Sequence, residues 1–129
     1  MKSILVTGAS GFVGRALCPR LRAAGYRVAI STREKAAVQG LDVDDVHVTS
    51  PLGPRTDWRP ALGGVQAVVH LAARVHVMDD TADAAQRHRQ ANTEGTLRLA
   101  EAAGAAGVGR FVFLSTVKVN GERTAAAPF

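Results

Sequence analysis

The chain has 129 residues, 47% of them apolar and 5% aromatic, with a net charge of +5. That apolar share excludes an intrinsically disordered chain. The length suits one domain over residues 1–129, with a core of Ala, Val and Leu. The single cysteine, Cys18, excludes an internal disulfide and a multi-cysteine metal site.

Strand and helix signals alternate along the chain. Ser3 to Thr7 (SILVT) is a short apolar run that ends in glycines and reads as a buried strand. Phe12 to Ala24 reads as a helix with Val13, Leu17, Leu21 and Ala24 on one face and Gly25 as its stop. Pro19, inside it, should remove a backbone hydrogen bond and kink the helix. Arg27 to Ser31 is a second strand, Glu34 to Gly40 a short helix or turn, and Val46 to Thr49 a weak third strand. Ser50 to Gly64 is rich in proline and glycine and reads as a loop with one helical turn near Trp58 to Leu62. A fourth strand lies in AVVHLA, Ala67 to Ala72. Thr81 to Ala106 reads as a long helix closed by Gly107 and Gly109, and Arg110 to Ser115 as a fifth strand. This alternation predicts an α/β fold: a three-layer, Rossmann-type, doubly wound parallel sheet of order 3-2-1-4-5.

No apolar stretch approaches the about 18 residues that span a bilayer. The start MKSILVTGAS lacks a signal-peptide pattern, so a cytoplasmic chain without a membrane partner is expected. Arginines spread from Arg15 to Arg123 supply most of the 16 basic residues. Without a dense basic stripe or stacking aromatics, nucleic acid is not the expected partner. A basic rim instead favours an anionic cofactor or substrate.

Gly8, Gly11 and Gly14 stand as G-x-x-G-x-x-G at the first strand-to-helix turn. There the first glycine permits the turn, the second lets the backbone approach a pyrophosphate, and the third lets helix and strand pack closely. A diphosphate would rest on the helix N-terminus, drawn by its N–H groups and dipole. The whole loop, Thr7-Gly8-Ala9-Ser10-Gly11-Phe12-Val13-Gly14, is thus a candidate cofactor cradle. At the end of the second strand an acidic residue would hold a ribose 2′-OH. Ser31, Thr32 and Arg33 stand there, and a guanidinium suits a 2′-phosphate, so NADP is favoured over NAD. His70 ends a buried strand and reads as structural. Asn92 is unfavourable in mid-helix, which points to a functional role.

TGASGFVG at Thr7 to Gly14, HLAA at His70 to Ala73, N-x-x-G-T at Asn92 to Thr96 and FLSTVKVNG at Phe113 to Gly121 together carry a resemblance. In their order and spacing the chain resembles the extended short-chain dehydrogenases/reductases, the NAD-dependent epimerase/dehydratase family, and most of all bacterial nucleotide-sugar 4-epimerases or 4-ketoreductases. The resemblance implies that Leu71, Ala72 and Ala73 form a small-residue floor under the cofactor. It implies that Asn92 supports the active-site and cofactor environment, and that Thr116, with Ser115 as the alternative, hydrogen-bonds the reacting oxygen of the substrate. It also implies a nucleotide-sugar substrate for a full-length parent.

The family's base is a tyrosine in Y-x-x-x-K, downstream of the fifth strand. The only tyrosine here is Tyr26, before the second strand, which sequence order places beside the adenosine half of the site. The motif is not among the 129 residues, so the chain reads as a fragment or natural truncation ending after the fifth strand, without turnover of its own. Thr49-Ser50-Pro51 stands where the family has an aspartate that touches adenine. Two other readings stay open: a non-catalytic dinucleotide-binding module, and a reductase of a non-sugar carbonyl compound. Ala91, Leu97, Leu99, Ala102 and Ala103 cannot all face the sheet, and the fifth strand has an open edge, so a homo-oligomer is expected.

Overall fold

The computed structural model describes residues 2–49, 52–72 and 89–114, with backbone alone for 89–91. Five parallel strands form one sheet: β1 Ser3–Thr7, β2 Arg27–Thr32, β3 Asp45–Val48, β4 Ala67–His70 and β5 Arg110–Phe113. Their order is β3-β2-β1-β4-β5, as the sequence pattern predicts for a Rossmann-like fold. Because every strand is parallel, all carboxyl ends lie along one edge. Ser31, Thr7, His70 and Phe113 share one register row there.

The helices cover both faces. Helix α1, Phe12–Ala23, and a 3₁₀ turn at Lys35–Val38 lie over one face. Helix α2, Arg59–Leu62, and helix α3, Gly95–Ala105, lie over the other. Alternate strand residues feed the two cores: Ile4, Val6, Val28 and Ile30 with Cys18 on the first face, Leu5, Ala29 and Val68 with Trp58, Leu62 and Leu99 on the second. This two-sided burial explains why β1 is an unbroken apolar run and not an alternating one.

Helices α1 and α3 end alike. Tyr26 N–H reaches Leu21 O and Val108 N–H reaches Ala103 O, each around a glycine with positive φ, Gly25 at 96° and Gly107 at 81°. Gly107 alone is the stop for α3. Gly109 instead opens β5, giving its N–H to Gln66 O.

Three expectations need correction. The buried side of α1 is Gly14 and Cys18, flanked by half-buried Leu17 and Leu21, while Val13 and Ala24 are exposed. A helix starting at Phe12 over the glycine loop must turn its smallest residue, Gly14, to the sheet, which rotates Val13 outward. Tyr26 precedes β2 and so sits at the amino edge of the sheet, opposite the carboxyl edge where a nucleotide would lie. Sequence order alone had put it beside the adenosine half. The long helix is not uniform: a π turn at Arg89–Glu94 precedes α3, and the stretch 81–88 lies outside the described residues. Pro19 is tolerated because it lies on the exposed side of α1, where water can serve the carbonyl its missing N–H leaves over.

The amino edge is tied by charge. Arg22 pairs with Asp42 and Asp44, and Arg27 with Asp45. Asp44 also accepts the Val28 N–H at 2.8 Å, and this backbone bond, more than the arginines, holds its carboxyl below the usual range.

Candidate functional site

The site lies where β1, β2 and β4 end. Each glycine of the loop behaves differently. Gly8 has φ 72°, and a Cβ on it would lie 2.6 Å from Ala72 N and 2.7 Å from Leu71 C. Its bareness lets the turn press against the end of β4. A Cβ on Gly14 would lie 2.5 Å from Ala9 Cα and 2.6 Å from Gly8 O, so this glycine is what seats α1 on the loop. Gly11 has φ −78°, which any residue can adopt, and a Cβ there would meet only Gly8 O at 3.4 Å. The protein's own packing gives no reason for a glycine at this position. The space its missing side chain leaves is open, directly before the first turn of α1.

That turn carries no negative charge of its own. Gly11 is its N-cap, no side chain caps it, and no acidic residue lies in it. The first-turn N–H groups therefore point outward without intrahelical partners. Arg15 braces the loop: Nε donates to Ser10 O at 2.9 Å, and a terminal nitrogen donates to Ala37 O at 3.0 Å in the 3₁₀ turn after β2. One guanidinium thus joins the loop after β1 to the loop after β2 and adds positive charge beside both. Phe12 is 94% exposed above the cradle, with Val13 exposed next to it.

At the end of β2, Thr32 Oγ1 donates to Glu34 O at 2.9 Å and accepts the Glu34 N–H at 3.3 Å. This closes a tight turn with Arg33 exposed at its crest. Thr32 and Arg33 therefore lie at the same sheet edge as the glycine loop, one strand away.

Leu71 and Ala72 follow β4 against Gly8. Their N–H groups both reach Thr7 Oγ1 at 3.1 Å. Thr7 Oγ1 also lies 2.7 Å from His70 Nδ1, and His70 Nε2 lies 3.0 Å from Thr96 Oγ1. The Thr96 hydroxyl donates to Asn92 O at 2.7 Å. The His70 ring, fully buried, stacks on Phe113 at 5.9 Å, and burial pushes its pKa down to about 4. A neutral, twice-bonded ring at neutral pH agrees with a structural histidine.

The described residues thus gather Gly8, Ser10, Gly11, Phe12, Val13, Gly14, Thr32, Arg33, Leu71 and Ala72 at one edge, with Asn92 joined to that edge through Thr96 and His70. Ala73, Ser115 and Thr116 lie outside the described residues, as do Ser50 and Pro51. Sequence reasoning named Thr7 and Thr96 only as members of motifs, with no role of their own, and did not single out Arg15. The two threonines carried a signal, since each is a hydroxyl residue inside a motif, T-G-A-S-G at the end of the apolar run SILVT and N-x-x-G-T before Leu97. Nothing in the sequence distinguishes Arg15 from any other helix arginine.

Fold and loop define the Rossmann-like class of NAD-binding epimerase and short-chain dehydrogenase/reductase structures. Residues 4–128 match the NAD dependent epimerase/dehydratase family, and the chain belongs to it. It is 41% identical over 127 residues to a UDP-glucose 4-epimerase of Vibrio cholerae, covering 95% of this chain and 37% of that one. It is 33% identical over 122 residues to a 3-beta-hydroxysteroid dehydrogenase of Mycolicibacterium neoaurum, covering 90% of this chain and 32% of that one. A solved short-chain dehydrogenase/reductase superfamily protein from Agrobacterium tumefaciens, with bound NAD, superposes with a TM-score of 0.72 at 38% identity, over 93% of this chain and 34% of that chain. The chain thus spans about a third of the length of the relatives it matches. Among the described residues no helix is long and apolar enough to cross a membrane.

Proposed function

We propose that residues 1–129 form one NAD(P)-binding domain of an oxidoreductase or epimerase that acts at C4 of a nucleotide-activated sugar. The observation that carries the cofactor assignment is Gly11, a glycine that neither its backbone angle nor its neighbours require, open at the start of α1. A diphosphate fills that space, receiving the first-turn N–H groups with Arg15 nearby as counter-charge. Leu71, Ala72 and Ala73 floor the ribose and diphosphate, and Asn92 supports the active-site side. Thr32 and Arg33 receive the adenosine ribose, and with no carboxylate at either position the 2′-phosphate of NADP is favoured over the bare 2′-OH of NAD. The cofactor, when bound, takes up and returns hydride. Thr116, or Ser115, holds the reacting oxygen by a hydrogen bond.

The sugar assignment draws support from the 41% identical UDP-glucose 4-epimerase. A second reading, a reductase of a non-sugar carbonyl compound, has its own support in the 33% identical steroid dehydrogenase. Incubating the whole protein with NAD and UDP-glucose, and following C4 inversion by proton NMR, separates the two. Appearance of the C4 epimer supports the first. Absence of inversion, with added NADH or NADPH oxidised by a carbonyl substrate such as a 3-ketosteroid, supports the second.

A further inference from the structure

The bonds around His70 fix where its hydrogen sits. Thr7 Oγ1 accepts the Ala72 N–H and shares the Leu71 N–H with the Thr7 carbonyl, each at 3.1 Å. Its own hydrogen is left for His70 Nδ1, so Nδ1 is a bare acceptor and the neutral ring carries its hydrogen on Nε2. Nε2–H then donates to Thr96 Oγ1, and Thr96 donates onward to Asn92 O. Each donor in this run meets an acceptor, and all point the same way, from the strand-end amides to the helix. The opposite tautomer would set Nδ1–H against the Thr7 hydroxyl hydrogen, and would leave Nε2 facing a Thr96 hydrogen already given to Asn92.

The two ends of the run matter. One is the Leu71–Ala72 backbone, against which Gly8 is pressed at a distance no Cβ could share. The other is the π turn Arg89–Glu94, a widened helical turn of a kind frequent at functional sites. Among the described residues, His70 at the end of β4 is bonded toward both.

We propose that His70, as the neutral Nε2–H tautomer, is a positioning residue for the dinucleotide: through Thr7 and Thr96 it locks the strand-end floor and the Asn92 turn into one body before the nucleotide arrives. The inference rests on the reading of the glycine loop as a nucleotide site. Fully buried, His70 acts through its neighbours, and its effect is on how well the cleft is formed.

The test uses the 129-residue chain, NAD as the probe, and a variant that spares the histidine. Thr96→Val keeps the volume and removes the relay at the helix, whereas Thr96→Ser keeps the hydroxyl. Calorimetric titration is expected to show NAD binding weakened about tenfold by Thr96→Val and restored to within about twofold by Thr96→Ser, the scale of one net hydrogen bond. Long-range proton–nitrogen spectra are expected to show His70 protonated at Nε2 and bare at Nδ1, with and without NAD. A Thr96→Val chain that melts lower yet binds NAD like wild type would overturn the positioning role and leave the nucleotide reading intact. A wild-type chain that binds neither NAD nor NADP would overturn both. Should Thr96→Val not fold, the wild-type ring spectrum decides: an Nδ1–H tautomer overturns the proposal and the Nε2–H tautomer upholds it.

Discussion

Gly11 and Gly14 stand only three positions apart, yet a side chain would meet open space at the first and backbone at the second, and two substitutions separate their proposed duties. In Gly11→Val the new Cβ meets only Gly8 O at 3.4 Å, and φ −78° with extended ψ suits a β-branched residue. Losing a glycine's freedom in the unfolded chain is worth about 0.4–1 kcal/mol toward folding, so the melting temperature is expected to hold or rise slightly. The side chain fills the space the diphosphate needs. Displacing two charge-assisted backbone bonds at about 1.5–3 kcal/mol each weakens nucleotide binding by roughly 10²–10⁴-fold. In Gly14→Ala the methyl falls 2.5 Å from Ala9 Cα and 2.6 Å from Gly8 O, both backbone atoms that cannot step aside. Overpacking of this kind costs about 1–3 kcal/mol, several degrees of melting temperature for a chain this size. Thermal melts and calorimetry on the same samples read both effects. Gly11→Val binding NAD like wild type, or both variants losing stability alike, would refute the division of roles.

Arg33→Ala is expected to erase most of a preference for NADPH over NADH, since one charge-assisted phosphate contact is worth about 1.5–3 kcal/mol; equal wild-type affinities for the two nucleotides would refute the preference. His70 has a folded pKa near 4 against 6.5 when unfolded, so between these values the unfolded chain binds more protons. Stability is therefore full above pH 6.5 and falls as pH drops toward 4, by an amount on the order of a few kcal/mol; denaturant midpoints that stay flat from pH 7 to about 4.5 would contradict this. Leu97, Val112, Phe113 and Leu114 are each 45–58% exposed, and β5 has no outer neighbour among the described residues, so self-association is expected. Light scattering at micromolar concentration checks it, and a monomer would refute it.

The sheet order and the packing duties of Gly8 and Gly14 were legible because each follows from a short-range rule. Parallel strands must be joined by helical crossovers, and a tight strand-to-helix turn needs bare residues where backbones touch. What escaped was set by tertiary contact. The inward side of α1 depends on how the helix seats over the loop, which Gly14 and Ala9 decide; an amphipathic count that favours Val13 cannot see it. Tyr26 was misplaced because chain order does not say which edge of a sheet a residue occupies, while strand direction does. The π turn before α3 left no trace in a pattern of good helix formers. Thr7, His70 and Thr96 lie far apart in sequence, at β1, β4 and α3, and only the register Thr7↔His70 brings them together.

The claim that a dinucleotide lies on the glycine loop is tested most directly by amide NMR of the 129-residue chain during titration with NAD and with NADPH. The amides of Gly8, Ser10, Gly11, Phe12 and Val13 are expected to move most, together with Leu71 and Ala72 across the loop, and with Arg33 moving further for NADPH. Saturable shifts confined to the amino edge of the sheet, around Tyr26 and Asp45, or no shifts with either nucleotide, would contradict it.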